Sequence, residues 1–297
     1  MAQTWTRDQI LVSTDWLAEH LADQNLRILD CRYYFDDRDA AEEYRRGHVP
    51  GAIHFDWSHE LNDPDNSVAF TMAGPEKVEA AMSRAGVGND TLIVAYDDEG
   101  GHFGSRVWLV LARFGKESQL RILDGGWTKW AAEKRPTSME TPAVTPATFT
   151  IDRSAERPEI VATAADVLAA MKDGQTKILD VRRMTEFTGE EARAKRGGRI
   201  PGADYLFWQD NLNWDGDRSF VREEEIRAER EEVGIDDETP VITYCQGGVR
   251  AALAAISLIT SGVKNVRVYD GSWGEWGNRD ELPIETGPAK ERGDDTE

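Results

Sequence analysis

The chain carries a diverged second copy of its own first half, so its fold must be one that about 150 residues can adopt twice. Ile28-Leu29-Asp30-Cys31-Arg32 recurs as Ile178-Leu179-Asp180-Val181-Arg182. Gly47-His48-Val49-Pro50-Gly51-Ala52 recurs as Gly198-Arg199-Ile200-Pro201-Gly202-Ala203. Gly86-Val87 answers Gly234-Ile235, and Ala95-Tyr96-Asp97 answers Thr243-Tyr244-Cys245. Asp124-Gly125-Gly126-Trp127 returns as Asp270-Gly271-Ser272-Trp273. The landmarks keep their order and nearly constant spacing, which marks a tandem duplication.

Within each copy short apolar runs alternate with helical patterns. Residues 26–30, 92–96 and 121–123 read as buried strands, as do 177–181, 240–244 and 266–269 in the second copy. Amphipathic helices are expected over 75–85, with Pro75 at the favoured first turn, and over 222–233. This alternation predicts an α/β protein of two tandem domains, each a parallel sheet with helices on both faces. The expected division is a first domain over 1–138, a linker over 139–157, a second domain over 158–288 and a disordered tail over 289–297. Pro136, Pro142, Pro146 and Pro158 mark the join.

Two cysteines among 297 residues are too few for a disulfide framework and suit a reducing cytoplasm. No Cys-x-x-Cys exists to bind zinc, and no metal or other cofactor is expected. No apolar run is long enough to span a membrane, and the start lacks the pattern of a signal peptide. A net charge of −20 argues against nucleic acid and anionic membranes as partners. It also means that an anionic substrate needs a locally positive pocket. The 26 Arg against nine Lys fit a salt-adapted protein or a merely acidic one equally well.

Chemistry concentrates at one turn. The β-branched run 241–244 leads into Cys245-Gln246-Gly247-Gly248-Val249-Arg250 and then into a strong helical stretch. Two adjacent glycines permit a tight loop with inward-pointing amides, and the following helix N-terminus adds partial positive charge. A cysteine there is expected to ionise readily and to act as nucleophile, with the loop cradling a persulfide or an oxyanion. The first copy has Asp97 in that place, followed by a longer, more acidic loop, and is expected to be catalytically silent. Cys31 has no glycine loop after it and reads as a small buried hydrophobe. All five histidines lie in the first half, so no Cys-His couple can form within the second domain. His48 reads as structural.

Together the two Gly-x-x-Pro-Gly-Ala segments, the Cys loop and Tyr-Asp-Gly-Ser-Trp resemble the rhodanese family of two-domain sulfurtransferases, over about residues 12–288. The resemblance implies that Cys245 takes a sulfane sulfur from a small-molecule donor and passes it to a thiophilic acceptor such as cyanide. It places Gln246, Gly247, Gly248, Val249 and Arg250 in the persulfide cradle and Ser272 close to the cysteine. Arg182 and Arg183 are further candidate donor contacts, although Arg182 matches Arg32 in the first copy, which favours a structural role for it. Tyr33, Phe103 and Trp208 are candidate aromatic walls. Two departures stand out. Gln246 and Gly247 replace basic residues, and Glu186 occupies the place of a substrate-binding arginine. Arg250 would then supply the positive charge, which favours thiosulfate over 3-mercaptopyruvate as donor. A cysteine phosphatase would need five residues between Cys and Arg, and here there are four. A non-catalytic binding module sits poorly with an intact Cys loop beside a degenerate copy. Oligomeric state cannot be read from these residues.

Overall fold

The computed structural model describes residues 5–288. The expected disordered tail, 289–297, lies outside the described residues. Strands β1 (Leu11–Val12), β2 (Leu26–Asp30), β3 (Ala52–His54), β4 (Leu92–Tyr96) and β5 (Leu120–Leu123) form one sheet in the order β1-β5-β4-β2-β3. Strands β6 (Val161–Ala162), β7 (Lys177–Asp180), β8 (Asp204–Tyr205), β9 (Val241–Tyr244) and β10 (Val266–Tyr269) repeat that order as β6-β10-β9-β7-β8. Every pairing is parallel.

The six strands expected from the sequence are present to within one residue. The four edge strands β1, β3, β6 and β8 were not anticipated. They are two or three residues long, too short to show a period of their own.

Strand side chains alternate between two cores. In the first domain Ile28, Val94 and Leu123 face the outer core with Leu17 and Trp130. Leu29, Ile93, Ala95 and Ile122 face an inner core, which continues without a break into Leu179, Val181 and Val241 of the second domain. Helices His102–Arg113 and Val249–Thr260, which follow the equivalent strands β4 and β9, pack on each other at its centre. Burial on both sides explains why both helices are apolar almost all round. Part of the expected linker is pinned to the first domain: Ala147 and Phe149 amides donate to Ser83, and that of Ile151 donates to Glu79.

The repeated motifs converge on one buried network per domain. Arg182 Nε and Nη2 donate to Asp180 at 3.0 and 2.6 Å, and Nη2 also reaches the Gly198 carbonyl at 2.7 Å. Tyr244, the last residue of β9, donates to Asp180 at 2.6 Å and accepts from the Ile200 amide at 3.1 Å. The Trp273 ring lies under the Arg182 guanidinium at 4.7 Å. Asp30, Arg32, Gly47, Tyr96, Val49 and Trp127 repeat these contacts in the first domain. A buried ion pair persists only where its remaining donors and acceptors are satisfied, and here the recurring segments supply each partner. His48 is structural as expected: it stacks on Tyr44, and its ring nitrogens face the carbonyls of Tyr44 and Glu140.

The domains also exchange loops. Asp270 accepts from the Met72 amide at 2.9 Å and pairs with Arg106 at 2.6 Å, and Arg106 also donates to the Phe70 carbonyl. Asp124, its counterpart, accepts from the Phe220 amide at 2.7 Å and pairs with Arg7 at 3.3 Å. Each domain thereby holds a loop of the other.

Tyr244→Phe removes one buried donor and one acceptor while keeping the ring. It should lower unfolding free energy by about 1–3 kcal/mol, read as a lower urea midpoint with unchanged m-value. Tyr96→Phe should cost about as much.

Candidate active site

β9 is the middle strand of its sheet, and Cys245 is the first residue beyond its carboxyl end, where open parallel sheets place their ligands. The two glycines that follow have separate causes. Gly248 has φ of +76°, which favours glycine, whereas a Cβ on Gly247 would come within 3.0 Å of the Ala69 carbonyl oxygen of the first domain. The turn then enters helix Val249–Thr260, whose first N–H groups have no partner inside the helix.

Ser272 braces this turn from below. Its Oγ accepts from the Cys245 and Gly248 amides, both at 3.1 Å, and donates to the Tyr269 carbonyl at 2.7 Å. Trp273 and Gly274 amides add bonds to the Cys245 and Gln246 carbonyls. Ser272 holds φ of +48°, a left-handed conformation that costs a non-glycine residue about 1–2 kcal/mol. Its first-domain counterpart is Gly126, where a Cβ would strike the Asp97 carbonyl oxygen. The serine keeps a strained backbone at the one position where its hydroxyl holds the Cys loop.

In the first domain the equivalent turn is filled from within. Asp97 is fully buried, and its carboxylate accepts from the amides of Glu99, Gly101, Phe103 and Gly104 at 2.7–3.0 Å. Burial raises its pKa, and these amides oppose the shift. This architecture of strand, tight loop and helix N-terminus therefore makes a four-amide cradle for an anion.

Cys245 opens onto a cavity of about 790 Å³ between the domains. Gln246, Gly247, Val249 and Arg250 line it, whereas Gly248 and Ser272 stand behind the loop. The Gln246 side chain does not turn toward the sulfur; its Nε2 donates to the Arg193 carbonyl at 3.0 Å. Of the expected aromatic walls Trp208 lines the cavity. Tyr33 and Phe103 lie one layer back, and Phe35 and Phe70 take the surface, with Tyr33 edge-on to both.

Arg182 needs correction. It was a candidate donor contact, but it is buried and committed to Asp180 and Gly198, and it does not line the cavity. What rules it out is position: its guanidinium lies away from the cavity and is shared between Asp180 and the Gly198 carbonyl. The next residue, Arg183, does line the cavity, together with Arg193 and Arg250. Arg250 itself is engaged by Glu186, which accepts from Nη1 at 2.7 Å and from Nη2 at 3.0 Å. Burial acts to lower the Arg250 pKa, but the Glu186 hydrogen bonds and the nearby charges of Cys245 and Glu186 raise it above its ordinary value.

His102 was not singled out in the sequence. It stacks on Trp208 of the second domain at 4.5 Å, and its Nδ1 lies 2.8 Å from Glu99. Both His102 and Glu99 line the cavity. Only the fold brings this first-domain loop opposite Cys245. Cys31 is buried as expected, and burial, then the charges of Asp30, Asp97 and Asp56, push its thiol pKa well up. Among the described residues no cluster of three or more His, Cys, Asp or Glu could hold a metal, and no helix is long and apolar enough to cross a membrane.

The family model described as "Rhodanese-like domain" matches residues 13–133 and 163–279. The chain is 34% identical to the 3-mercaptopyruvate sulfurtransferase of Escherichia coli K12, over 96% of this chain and 99% of that protein. It is 32% identical to the thiosulfate sulfurtransferase of Corynebacterium glutamicum, over 96% and 93%. The crystal structure of the 3-mercaptopyruvate sulfurtransferase SseA from Escherichia coli superposes with a TM-score of 0.80 at 31% identity, covering 91% of this chain and 99% of that one.

Ser272→Ala keeps the backbone strain and loses both loop contacts. It should slow sulfur loading of Cys245 about tenfold, the size of one or two hydrogen bonds, as followed by rapid-quench mass spectrometry.

Proposed function

The chain belongs to the rhodanese-like family of two-domain sulfurtransferases, and from that premise we propose that Cys245 carries the sulfur as a persulfide, with thiosulfate as donor. The Cys245 thiolate attacks the outer sulfur of thiosulfate. The bond between the two donor sulfurs breaks, sulfite leaves with the electron pair, and the protein holds a persulfide. A thiophile such as cyanide then attacks the terminal sulfur, thiocyanate departs, and the thiolate returns. Both half-reactions are nucleophilic displacements at sulfur and need no metal or redox partner.

The observation that carries this reading is the Asp97 cradle. The turn that binds a carboxylate through four amides in one domain presents a cysteine in the other, open to a cavity. There the loop is one residue shorter and its Gly248 amide is held by Ser272, while the other amides ahead of the helix suit the negative charge of a terminal persulfide sulfur. Arg250 borders the cavity next to that loop and is the natural contact for a compact dianion.

A second reading, 3-mercaptopyruvate as donor, has one observation in its favour. Arg183 and Arg193 also line the cavity, where they could receive a carboxylate carried some bonds away from the reacting sulfur. Comparing kcat/KM for the two donors side by side decides between them, and faster turnover of mercaptopyruvate would overturn the thiosulfate assignment.

Intact mass should rise by one sulfur atom after thiosulfate treatment and fall back with cyanide. Cys245→Ser should show neither the gain nor turnover, and Cys31→Ser should keep both. Arg250→Ala should cut thiosulfate kcat/KM roughly ten- to a hundredfold, the worth of a charge-assisted contact. Arg250→Lys should recover only part, since a point charge lacks the guanidinium fork. Unchanged efficiency in Arg250→Ala would count against Arg250 as the donor contact.

A further inference from the structure

Glu186 stands behind Arg250, which lines the same cavity as Cys245. It lies in the short helix Met184–Thr188 and is 1% exposed, with Arg250 at 12%. Both carboxylate oxygens are taken by Arg250, at 2.7 and 3.0 Å. Arg193 Nη1 stands 3.9 Å from Oε1, too far for a hydrogen bond and close enough for attraction. Arg250, Arg193 and Arg183 face the cavity. Glu186 itself does not line it; it reaches the site through Arg250.

Burying a guanidinium without a counter-ion costs far more than burying a pair, so the empty site needs an anion beside Arg250. Glu186 is that anion. A dianionic donor arriving at Cys245 needs the same cation, and two anions then share one guanidinium fork. We propose that Glu186 is an internal competitor of the anionic donor: it holds Arg250 in the empty enzyme, yields part of it to the donor, and reclaims it as the product anion leaves. The inference rests on the reading of Arg250 as the donor contact. In this arrangement Glu186 weakens binding of donor and product together, a trade that raises KM and speeds release. Arg193 is placed to take up the Glu186 carboxylate while Arg250 turns toward the donor.

Two further observations agree. Burial acts to raise the Glu186 pKa, yet its hydrogen bonds to Arg250, the Arg250 charge and then Arg182 bring it below its ordinary value, so the group is an anion when the site is empty. The first domain offers a permanent version of the same device, since the Asp97 carboxylate fills its own cradle and leaves no room for a ligand anion. The second domain moves the internal anion from the cradle to the cation beside it, where a ligand can displace it.

The test is Glu186→Gln, which removes the charge and keeps the shape. Thiosulfate KM and the inhibition constant of sulfite should fall together, each about tenfold, the worth of one charge-assisted contact. Combined with Arg250→Ala, the substitution should change neither constant. A KM that stays the same or rises, or a fall that persists without Arg250, overturns the proposal. If Glu186→Gln does not fold, Glu186→Asp, which keeps the charge but reaches one methylene less far, should shift both constants the same way by a smaller factor. Failure of the underlying reading shows elsewhere, as faster turnover of mercaptopyruvate by the wild-type enzyme or an unchanged thiosulfate kcat/KM in Arg250→Ala alone. In that case calorimetry of sulfite binding to Cys245→Ser, with and without Glu186→Gln, still tests the competition: tighter binding without the carboxylate supports it, and equal binding refutes it.

Discussion

The ion pair between Asp180 and Arg182, closed by the Tyr244 hydroxyl, fixes where the chemistry can happen. Tyr244 is the last residue of β9 and Cys245 is the next one, so anchoring the phenol at 2.6 Å from Asp180 anchors the peptide that carries the sulfur. The same Arg182 is covered by Trp273, the neighbour of Ser272, whose hydroxyl holds the Cys loop from the other side. One buried guanidinium thus sets both walls of the turn. It also explains why the motifs recur together: Asp-x-Arg, Gly-x-x-Pro-Gly-Ala, the strand-end Tyr and the Asp-Gly-x-Trp segment meet in one place, and each loses its partners if another is lost.

Duplication gave both domains that scaffold, and divergence at a few positions separated their roles. Asp97 against Cys245 decides whether the amide cradle is filled by the protein or left for a ligand. Gly126 against Ser272 decides whether the turn is braced by a hydroxyl. The first domain still contributes, because the exchange of loops places Ala69 and Phe70 over the Cys loop and His102 across from it. With the inner core shared between the domains, separating them would expose the helices His102–Arg113 and Val249–Thr260 together. The cavity is therefore a property of the pair and belongs to neither copy alone.

The central strands, the repeat and the Cys loop were legible because each has a local signature: an apolar run, a second copy to compare with, a Gly-Gly before a helix. Edge strands of two residues have no such signature. Arg182 could be suspected of a structural role because Arg32 repeats it in the first copy, and the structure shows both spent on aspartates. What could not be read was anything set by the approach of distant segments. The Ala69 carbonyl that crowds a side chain at Gly247, the stacking of His102 on Trp208, and the bidentate hold of Glu186 on Arg250 each join residues at least 60 positions apart. Glu186 was visible as a departure from the family pattern. Its partner was visible as the loop's one cation. That they meet follows only from the fold.

The balance of charge sharpens the role of that meeting. The chain carries 55 acidic residues against 35 basic ones, so an anionic donor approaches a repulsive surface and must be drawn in locally. Much of the arginine is not available for this. Arg32, Arg182, Arg199 and Arg230 are buried and paired inside the domains and Arg106 is buried and paired between them, where the planar fork satisfies several oxygens at once. At the cavity, Arg183, Arg193 and Arg250 stand against Glu99, Glu191 and the concealed Glu186. These six groups sum to zero and a Cys245 thiolate would add one negative charge, so attraction cannot come from net charge. It has to come from arrangement: amides and guanidinium lining the cavity, with Glu186 held behind Arg250, Glu99 paired with His102 and Glu191 bonded to Thr185. A site of this kind binds anions only where its dipoles point, which suits an enzyme that must let one anion go before the next can enter.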